Sequence, residues 1–279
     1  MKLEELNTST TPTWCPGCGN YGILSAMKNA IVKLGIKSKD LVITSGIGCS
    51  GKVPYWIRCY GFNGLHGRPL PLAVAIKLVN PELTVIAHGG DGDGYSEGTN
   101  HFIHTMRRNI DITYVVHNNQ IYGLTTGQTS PTSDKDNRFI TKSTPYGNPE
   151  RAFNPLTVAI ASGATFVARG FAGDVLHLTE LFVQAIKHKG AALVDVLQPC
   201  ISFNKKNTFA WFRERVYKLE DEKHDFSDKM KAYMKASEWG NKIPIGLFYK
   251  EDYEVEVGQK VIDEDLSRID ISSIMGMMK

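Results

Sequence analysis

Two carboxylates lie in a glycine-rich loop, where they could bind a metal ion together with a phosphate. Asp91 and Asp93 belong to the sequence GGDGDGYSEG, between an apolar strand predicted over 83–87 and a helix predicted over 95–108. Backbone N–H groups of such a loop, at the start of a helix, can hold a phosphate. Carboxylates would repel that phosphate unless a divalent cation lay between them, as Mg²⁺ does when it binds protein oxygens and a diphosphate. The loop therefore predicts a metal-diphosphate site.

Two consecutive asparagines follow the next predicted strand. The strand over 112–116 leads to Asn118 and Asn119, and with the preceding strand and helix it completes a βαβ unit. The right-handed crossover of such a unit places both asparagines beside Asp91, at the carboxyl ends of neighbouring parallel strands. Neither G-x-G-x-x-G nor G-x-x-x-x-G-K-[ST] fits the loop, which excludes two other phosphate motifs. An incidental asparagine pair after a glycine-rich turn is the alternative interpretation.

Four cysteines are candidates for a metal centre. Cys15 and Cys18 form a C-x-x-C turn, which alone fits a thioredoxin-type redox pair, half of a zinc site or half of an iron–sulfur site. A redox pair should follow a strand, yet loop-like residues precede Cys15. A compact zinc site needs a second such pair nearby, and none follows. Instead, Cys49 and Cys200 each follow a predicted strand, at the edge that holds the diphosphate loop. Four thiolates there suit a 4Fe-4S cluster.

The glycine-rich loop and the asparagine pair together resemble the thiamine diphosphate motif. In enzymes with that motif, the Asp of GDG, the final Asn and a backbone carbonyl two residues later bind Mg²⁺. The resemblance therefore implies Asp91, Asn119 and the carbonyl of Ile121 as ligands. The motifs CPGCG, GIGCSGK, LHGRPLPLAVAIKLVNP, GGDGDGYSEGTNHFIHTMRRN and NNQIYGLTTGQTSPTS, followed by a late cysteine, resemble in that order the β subunit of 2-oxoacid:ferredoxin oxidoreductases. This similarity extends over 14–203.

The resemblance implies a function, its cofactors and its partners. Such enzymes use thiamine diphosphate, Mg²⁺ and a 4Fe-4S cluster, here on Cys15, Cys18, Cys49 and Cys200, with Cys59 left over as a free thiol. They oxidatively decarboxylate a 2-oxoacid such as pyruvate or 2-oxoglutarate, transfer the acyl group to coenzyme A and pass the electrons to ferredoxin. The pyrimidine-binding domain resides on an α subunit, so this chain forms half of the site and should expose an apolar face when isolated.

The resemblance also indicates further site residues. Lys52 is the catalytic candidate, because its charge would offset a substrate carboxylate, with a surface lysine as the alternative. His66 and Arg68 contact the diphosphate or the partner, or only cap the following helix. Thr126 stands where some family members place a basic residue, which argues against a dicarboxylate substrate. The residues assigned to the cofactor are Gly48, Cys49, Lys52, His66, Gly90, Asp91, Gly92, Asp93, Asn119, Ile121, Gly123, Leu124 and Thr125, and Tyr122, Leu124, Thr125 and Thr126 are expected to line the substrate pocket.

Composition and charge exclude several other classes. The 279 residues are 42% hydrophobic, enough for a full core, and a net charge of +3 gives no reason to expect nucleic acid. The basic pairs at 107–108 and 205–206 are interpreted as solvated faces, with a docking patch for an acidic protein as the alternative. No signal segment or membrane-length apolar run is visible, so a reducing cytoplasm is expected, without disulfides or membrane contact.

Hydrophobic periodicity predicts a doubly wound, mainly parallel α/β sheet with ligands at its carboxyl edge. The predicted helices cover 20–34, 72–79, 155–162 and 175–188, and further strands cover 41–45, 165–168 and 192–197. We assign 1–203 to one thiamine diphosphate- and iron–sulfur-binding domain. A C-terminal extension, 204–279, is expected to contain surface helices over 208–219 and 228–238 and to pack on the domain or on a partner.

Two other functional classes compete with this interpretation. A non-oxidative thiamine diphosphate-dependent decarboxylase or synthase would keep the metal-diphosphate site but would not need four cysteines. A structural zinc protein would keep the cysteines but would not need the diphosphate loop. The colour and metal content of the purified protein distinguish the three classes.

Overall fold

An eight-stranded sheet organises the protein, whose computed structural model describes residues 2–136 and 139–253. Strand order across the main sheet is β2-β1-β3-β4-β8-β7-β10-β9, and β5 pairs with β6 separately. The strands are β1 (Leu41–Ser45), β2 (Tyr60–Asn63), β3 (Thr84–Gly90), β4 (Ile112–Asn118), β5 (Ile121–Tyr122), β6 (Gln128–Thr129), β7 (Phe166–Phe171), β8 (Ala191–Leu197), β9 (Val216–Lys218) and β10 (Ile243–Lys250).

Helices cover both faces of this sheet. They are α1 (Asn20–Leu34), α2 (Pro69–Val79), α3 (Thr99–Arg108), α4 (Pro155–Ala161), α5 (Val175–Lys187), α6 (Phe209–Arg213) and α7 (Lys229–Ala236). One core lies between the sheet and α1 with α5, and the other lies between the sheet and α2, α3, α4 and α7. Strands buried on both faces explain the continuous apolar runs in the sequence. The predicted doubly wound α/β fold is confirmed.

Local sequence signals set the early elements of the fold. Helix α1 ends at Gly35, whose φ of 67° gives the left-handed cap that glycine adopts without strain. Helix α2 begins at Pro69, where a missing N–H costs no hydrogen bond. Strand β1 is buried along its whole length. The helix predicted over 20–34 and the strand predicted over 41–45 have the predicted bounds. The glycine cap marks the end of the helix, and the apolar run matches the buried strand.

The carboxyl edge of the sheet collects the candidate residues. Strands β1, β3, β4, β8 and β7 are parallel neighbours, with Gly90 of β3 opposite His117 of β4. The segments that follow β1, β3, β4 and β8 therefore leave the sheet at the same edge. They carry the GIGCSGK loop, the GDG loop, the asparagine pair and the late cysteine, as the βαβ argument predicted.

The C-terminal part differs from the prediction. A single helix over 208–219 is wrong, because α6 ends at Arg213 and the chain turns into β9, which pairs with β10. Strand β10 runs antiparallel to β7 and joins the main sheet. The described part of the predicted extension thus packs on the domain, while 254–279 lie outside the described residues. Within residues 2–136 and 139–253, no helix has the length and apolarity needed to cross a bilayer.

The predicted helix over 95–108 is divided in two. A π-helical turn covers Asp93–Glu97, and α3 begins only at Thr99. Gly94, inside this irregular turn, packs tightly against the Tyr114 hydroxyl. A Cβ at Gly94 would lie 1.9 Å from that oxygen. Single π-helical turns inside helices occur frequently at functional sites. This one comes directly after the GDG loop, which leaves the carboxyl end of β3.

Candidate functional site

Asp91 is a buried carboxylate at the end of β3. Its Oδ2 accepts hydrogen bonds from the Ser130 hydroxyl at 2.5 Å and the Thr132 hydroxyl at 2.6 Å. The residue is 1% exposed, and burial raises the pKa of its carboxyl to about 6, against the effect of the two hydroxyl donors. A cation bound there would offset the cost of burying this charge. The site thus fits a metal ion.

The two asparagines after β4 have different environments. Asn118 is buried, and its Nδ2 donates to both oxygens of Asp195 at 3.2 Å. Asn119 lies at the cleft, where its Oδ1 accepts from the backbone N–H of Ile121 at 3.0 Å. Gln120, between Asn119 and Ile121, has a φ of 57°. This left-handed backbone conformation lets the side chain of Asn119 and the backbone of Ile121 approach each other. The structure brings Asp91, Asn119 and Ile121 to one cleft.

Asp93 plays a different part from the one that the sequence suggested. Its Oδ1 accepts from the backbone N–H groups of Ile47 at 3.0 Å and Gly67 at 2.8 Å, and His66 Nδ1 lies 3.0 Å away. Gly46 has no side chain because a Cβ there would lie 1.8 Å from Asp93 Oδ2. The expected metal ion between the loop carboxylates and a phosphate stays a prediction, and Asp93 is engaged by other partners. Asp93 therefore links three loops that border the cleft through hydrogen bonds. Burial raises the pKa of its carboxyl.

A cleft of about 490 Å³ opens at this edge. Ser50, a residue that the sequence analysis missed, contributes a buried hydroxyl with no hydrogen-bond partner among the described residues. A diphosphate oxygen would satisfy such a donor. Twelve of the thirteen residues assigned to the cofactor line the cleft, Lys52 being the exception, and they are Gly48, Cys49, His66, Gly90, Asp91, Gly92, Asp93, Asn119, Ile121, Gly123, Leu124 and Thr125.

Tyr122 closes the cleft on the side of the GDG loop. Its ring packs on Gly92, where a Cβ would lie 2.3 Å from Tyr122 Cε1. Its hydroxyl donates to Glu97 Oε1 at 3.1 Å. The expectation that Tyr122 lines the pocket agrees with this position. Thr126 is exposed, and its hydroxyl accepts a hydrogen bond from Lys142 Nζ at 2.8 Å. A basic side chain from elsewhere in the chain thus reaches Thr126, the position where some family members have a basic residue of their own.

The four candidate cysteines line a second cavity, of about 640 Å³, next to the cleft. The C-x-x-C turn closes with a hydrogen bond from the Cys18 N–H to the Cys15 carbonyl at 3.0 Å. Gly19, directly after the turn, donates to the Pro199 carbonyl at 3.2 Å, which holds the turn against the segment that carries Cys200. The structure therefore brings together four thiols that are far apart in sequence. Cys59 is outside this cavity, and burial raises the pKa of its thiol to about 12.

Burial raises the pKa of two of these thiols. It acts most strongly on Cys18, whose thiol pKa is raised to about 12 by burial and, to a smaller degree, by the three neighbouring cysteines. Burial and Cys200 also raise the pKa of Cys49, whereas the nearby Lys52 lowers it. In residues 2–136 and 139–253, no three Cys, His, Asp or Glu side chains are close enough to share a single metal ion.

Lys52 lies in the cysteine cavity, where its Nζ is 3.5 Å from the Thr13 hydroxyl. Gly123 separates this cavity from the cleft. A Cβ at Gly123 would lie 3.6 Å from Cys200 Sγ, 3.9 Å from Cys49 Sγ and 3.9 Å from Asn119 Nδ2. A residue without a side chain therefore lies where the cleft and the cysteine cavity meet, and Cys49, Asn119 and Leu124 also border both cavities.

Comparison with known proteins agrees with this geometry. Residues 46–196 match the family model of the thiamine pyrophosphate enzyme C-terminal TPP-binding domain. Fold and site thus define a thiamine diphosphate-binding enzyme domain. Residues 200–262 match the C-terminal model of the pyruvate ferredoxin oxidoreductase β subunit. The chain belongs to the β subunits of the 2-oxoacid:ferredoxin oxidoreductases, as the motifs indicated.

Relatives in this family are similar along most of the chain. A 2-oxoacid:ferredoxin oxidoreductase subunit β of Saccharolobus solfataricus is 48% identical over 269 residues, which cover 92% of this chain and 88% of that protein. A 2-oxoglutarate synthase subunit KorB of Archaeoglobus fulgidus is 44% identical over 204 residues, or 72% and 75% of the two chains. A solved 2-oxoglutarate:ferredoxin oxidoreductase from Magnetococcus marinus is 40% identical with a TM-score of 0.89, covering 100% and 96%.

Proposed function

We propose that this β subunit, together with an α subunit, catalyses the coenzyme A-dependent oxidative decarboxylation of a 2-oxoacid, with electrons passing through a 4Fe-4S cluster to ferredoxin. One observation carries the proposal. Cys49 borders both the metal-diphosphate cleft and the four-cysteine cavity, and Asn119, Gly123 and Leu124 line both as well. Oxidation at the first site and electron acceptance at the second thus occur in adjoining cavities.

The cleft residues suit Mg²⁺ and thiamine diphosphate. Asp91, Asn119 and the Ile121 carbonyl offer the oxygen ligands that Mg²⁺ prefers, and the ion needs few protein ligands because diphosphate supplies others. The buried carboxyl of Asp91 gains a counter-charge, and the free hydroxyl of Ser50 gains an acceptor. These residues fix the position of the cofactor, and Asp93 holds the loops that surround it.

The cysteine cavity suits an iron–sulfur cluster better than zinc. Zinc–sulfur bonds of about 2.3 Å in a tetrahedron place sulfurs about 3.8 Å apart. The described residues contain no group of three ligands that meets the requirement for one ion. A cluster of four irons is larger than one ion and can bind thiolates that stand further apart. Cys15, Cys18, Cys49 and Cys200 would hold it.

The chemistry is divided between the cofactors and the protein. Bound thiamine diphosphate supplies the electron sink for loss of CO₂, and the cluster accepts single electrons. Lys52 places a positive charge in the cysteine cavity beside Cys49, which also borders the cleft, and this charge would attract the substrate carboxylate. We expect Lys52→Met to raise the KM for the 2-oxoacid by about tenfold while the cluster spectrum is retained. An unchanged KM would contradict this role.

An exposed edge of the sheet supports the need for a partner. Strand β2 is exposed along its length, and Tyr60, Phe62 and Leu65 are 63%, 52% and 76% exposed. Exposed strand edges with apolar side chains are typical of association surfaces. We expect the isolated subunit to be inactive and the α subunit to restore 2-oxoacid- and coenzyme A-dependent reduction of ferredoxin. Full turnover by this chain alone would refute the division of the site.

Anaerobic purification tests the class of enzyme. The purified protein should be brown, should absorb broadly at about 400 nm, and should contain iron and acid-labile sulfide. The complex should reduce ferredoxin or a viologen with pyruvate, 2-oxoglutarate or a branched-chain 2-oxoacid, and comparing the three identifies the substrate. A colourless protein with stoichiometric zinc would overturn the electron-transfer function. Decarboxylation without any electron acceptor would instead favour the non-oxidative class.

A further inference from the structure

Two buried amide side chains border the four-cysteine cavity. Gln198, 1% exposed, lies between β8 and Cys200, and Asn20, fully buried, is the first residue of α1. The Nε2 of Gln198 donates to Cys18 Sγ at 3.4 Å. The backbone N–H of Asn20 also donates to the Cys18 sulfur. The same sulfur therefore accepts one hydrogen bond from a side chain and one from the backbone.

The Gln198 amide is held in place by its surroundings. Its Nε2 also donates to the Pro199 carbonyl at 2.9 Å. A Cβ at Gly19 would lie only 3.0 Å from Gln198 Cγ, so the C-x-x-C turn packs directly on this side chain. Such packing leaves the amide little rotational freedom. The contact with Cys18 is thus a built feature of the cavity.

A buried histidine pair orients the second amide. His117 and His88 are both buried, at 1% and 0% exposure. His117 Nδ1 lies 2.7 Å from Asn20 Oδ1, and His88 Nδ1 lies 2.9 Å from His117 Nε2. A neutral His117 that donates through Nδ1 accepts at Nε2 from His88. The Asn20 Nδ2 then faces away from His117, and it has no partner among the described residues.

We propose that the amides of Gln198 and Asn20 are positioning residues that set the reduction potential of the cluster held by the four cysteines. This inference rests on the proposed function. Reduction adds a negative charge to the cluster, and N–H groups aimed at its sulfurs stabilise that charge. Gln198 donates to Cys18 Sγ, and the Nδ2 of Asn20, which has no partner among the described residues, would be available to donate to a sulfur of the bound cluster. Both amides raise the potential and so make the cluster a better electron acceptor.

Potentiometric titration of the anaerobically purified αβ complex tests this role. Gln198→Leu removes the donor at similar volume, and Gln198→Glu replaces it with a negative charge. Asn20→Asp removes the second donor but keeps an oxygen for His117. All three variants should shift the midpoint potential to more negative values, and the Glu variant should change the reduction equilibrium about tenfold or more, which is 59 mV for one electron. The readout is the reduced-cluster EPR signal.

Ser202→Ala is the matched control. Ser202 lines the same cavity, and no hydrogen bond joins it to a cysteine in the part of the chain that the structure describes. Its midpoint potential should equal that of the wild type. Gln198→Leu and Asn20→Asp complexes with wild-type iron and sulfide content and an unchanged potential would overturn the inference while leaving the proposed function intact. A wild-type complex without a reducible iron–sulfur cluster would overturn both.

Discussion

The buried carboxyl of Asp91 should make the cofactor-free protein less stable at neutral pH than a variant without the charge. Its pKa is raised from 3.8 to about 6 by burial. A difference of about 2 pKa units corresponds to about 3 kcal/mol at 1.36 kcal/mol per unit. Because the folded state holds the proton more tightly, this contribution to stability is complete below about pH 4. It is lost as the pH rises through 6.

Asp91→Asn removes the charge and keeps an oxygen that can accept from Ser130 or Thr132. At pH 7.5, without cofactor and in the presence of EDTA, we expect the variant to be about 3 kcal/mol more stable than the wild type. That difference corresponds to about 6 °C at ~2 °C per kcal/mol for a domain of this size. Near pH 4 the two midpoints should coincide. Thermal unfolding followed by circular dichroism from pH 4 to 8 measures both values.

The order should reverse when the ligands are added. Mg²⁺ and thiamine diphosphate stabilise only a protein that binds them, so the wild type gains stability and the variant does not. Asp252→Asn is the control, because that carboxylate is 89% exposed and its removal should change neither curve. Identical pH–stability curves for Asp91→Asn and the wild type would refute the burial argument. An equal gain from the cofactor in both proteins would refute the assignment of Asp91 as a ligand.

Three further substitutions test the surroundings of the two cavities. Asp195→Asn should lower the free energy of unfolding, measured in urea, by about 3 kcal/mol. The substitution leaves the buried Arg169, whose Nε lies 3.8 Å from Asp195, without its counter-charge. An unchanged urea midpoint would contradict this. Gly92→Ala should weaken thiamine diphosphate binding at least tenfold in calorimetry, because its Cβ would lie 2.3 Å from Tyr122 Cε1, and wild-type affinity would be the contrary result. Cys200→Ala should abolish the cluster absorbance and retain diphosphate binding, whereas an intact cluster spectrum would remove Cys200 from the ligand set.

The positions of the proposed metal ligands could be predicted because they depend on chain topology. Once 83–87 and 112–116 were interpreted as parallel strands, the crossover rule placed Asp91 beside Asn119. The role of Asp93 could not be deduced in this way. Its partners, the N–H groups of Ile47 and Gly67, belong to loops that only the tertiary structure brings to it. Local sequence does not encode such contacts.

The hydroxyl groups that hold Asp91 were missed for the same reason. Ser130 and Thr132 lie in a long polar segment without periodicity, so no local signal marks its return to the end of β3. The C-terminal error has another origin. The apolar run of β10 is visible in the sequence, but its antiparallel place between β7 and β9 depends on pairing with distant strands. Strand pairing overrode the helical interpretation of 208–219.

The cysteine cavity also bears on how the protein is made. Cys18 and its neighbour Gln198 are 180 positions apart, and Cys200 follows β8. At ~5–20 residues per second, translation needs about 10 to 40 s to pass from the first thiols to the last. During this interval Cys15 and Cys18 are on the nascent chain without Cys200. Loading of the proposed cluster would therefore be a late event that follows docking of β8, and the yield of coloured protein from an expression host should then depend on its iron supply and on exclusion of oxygen during that interval.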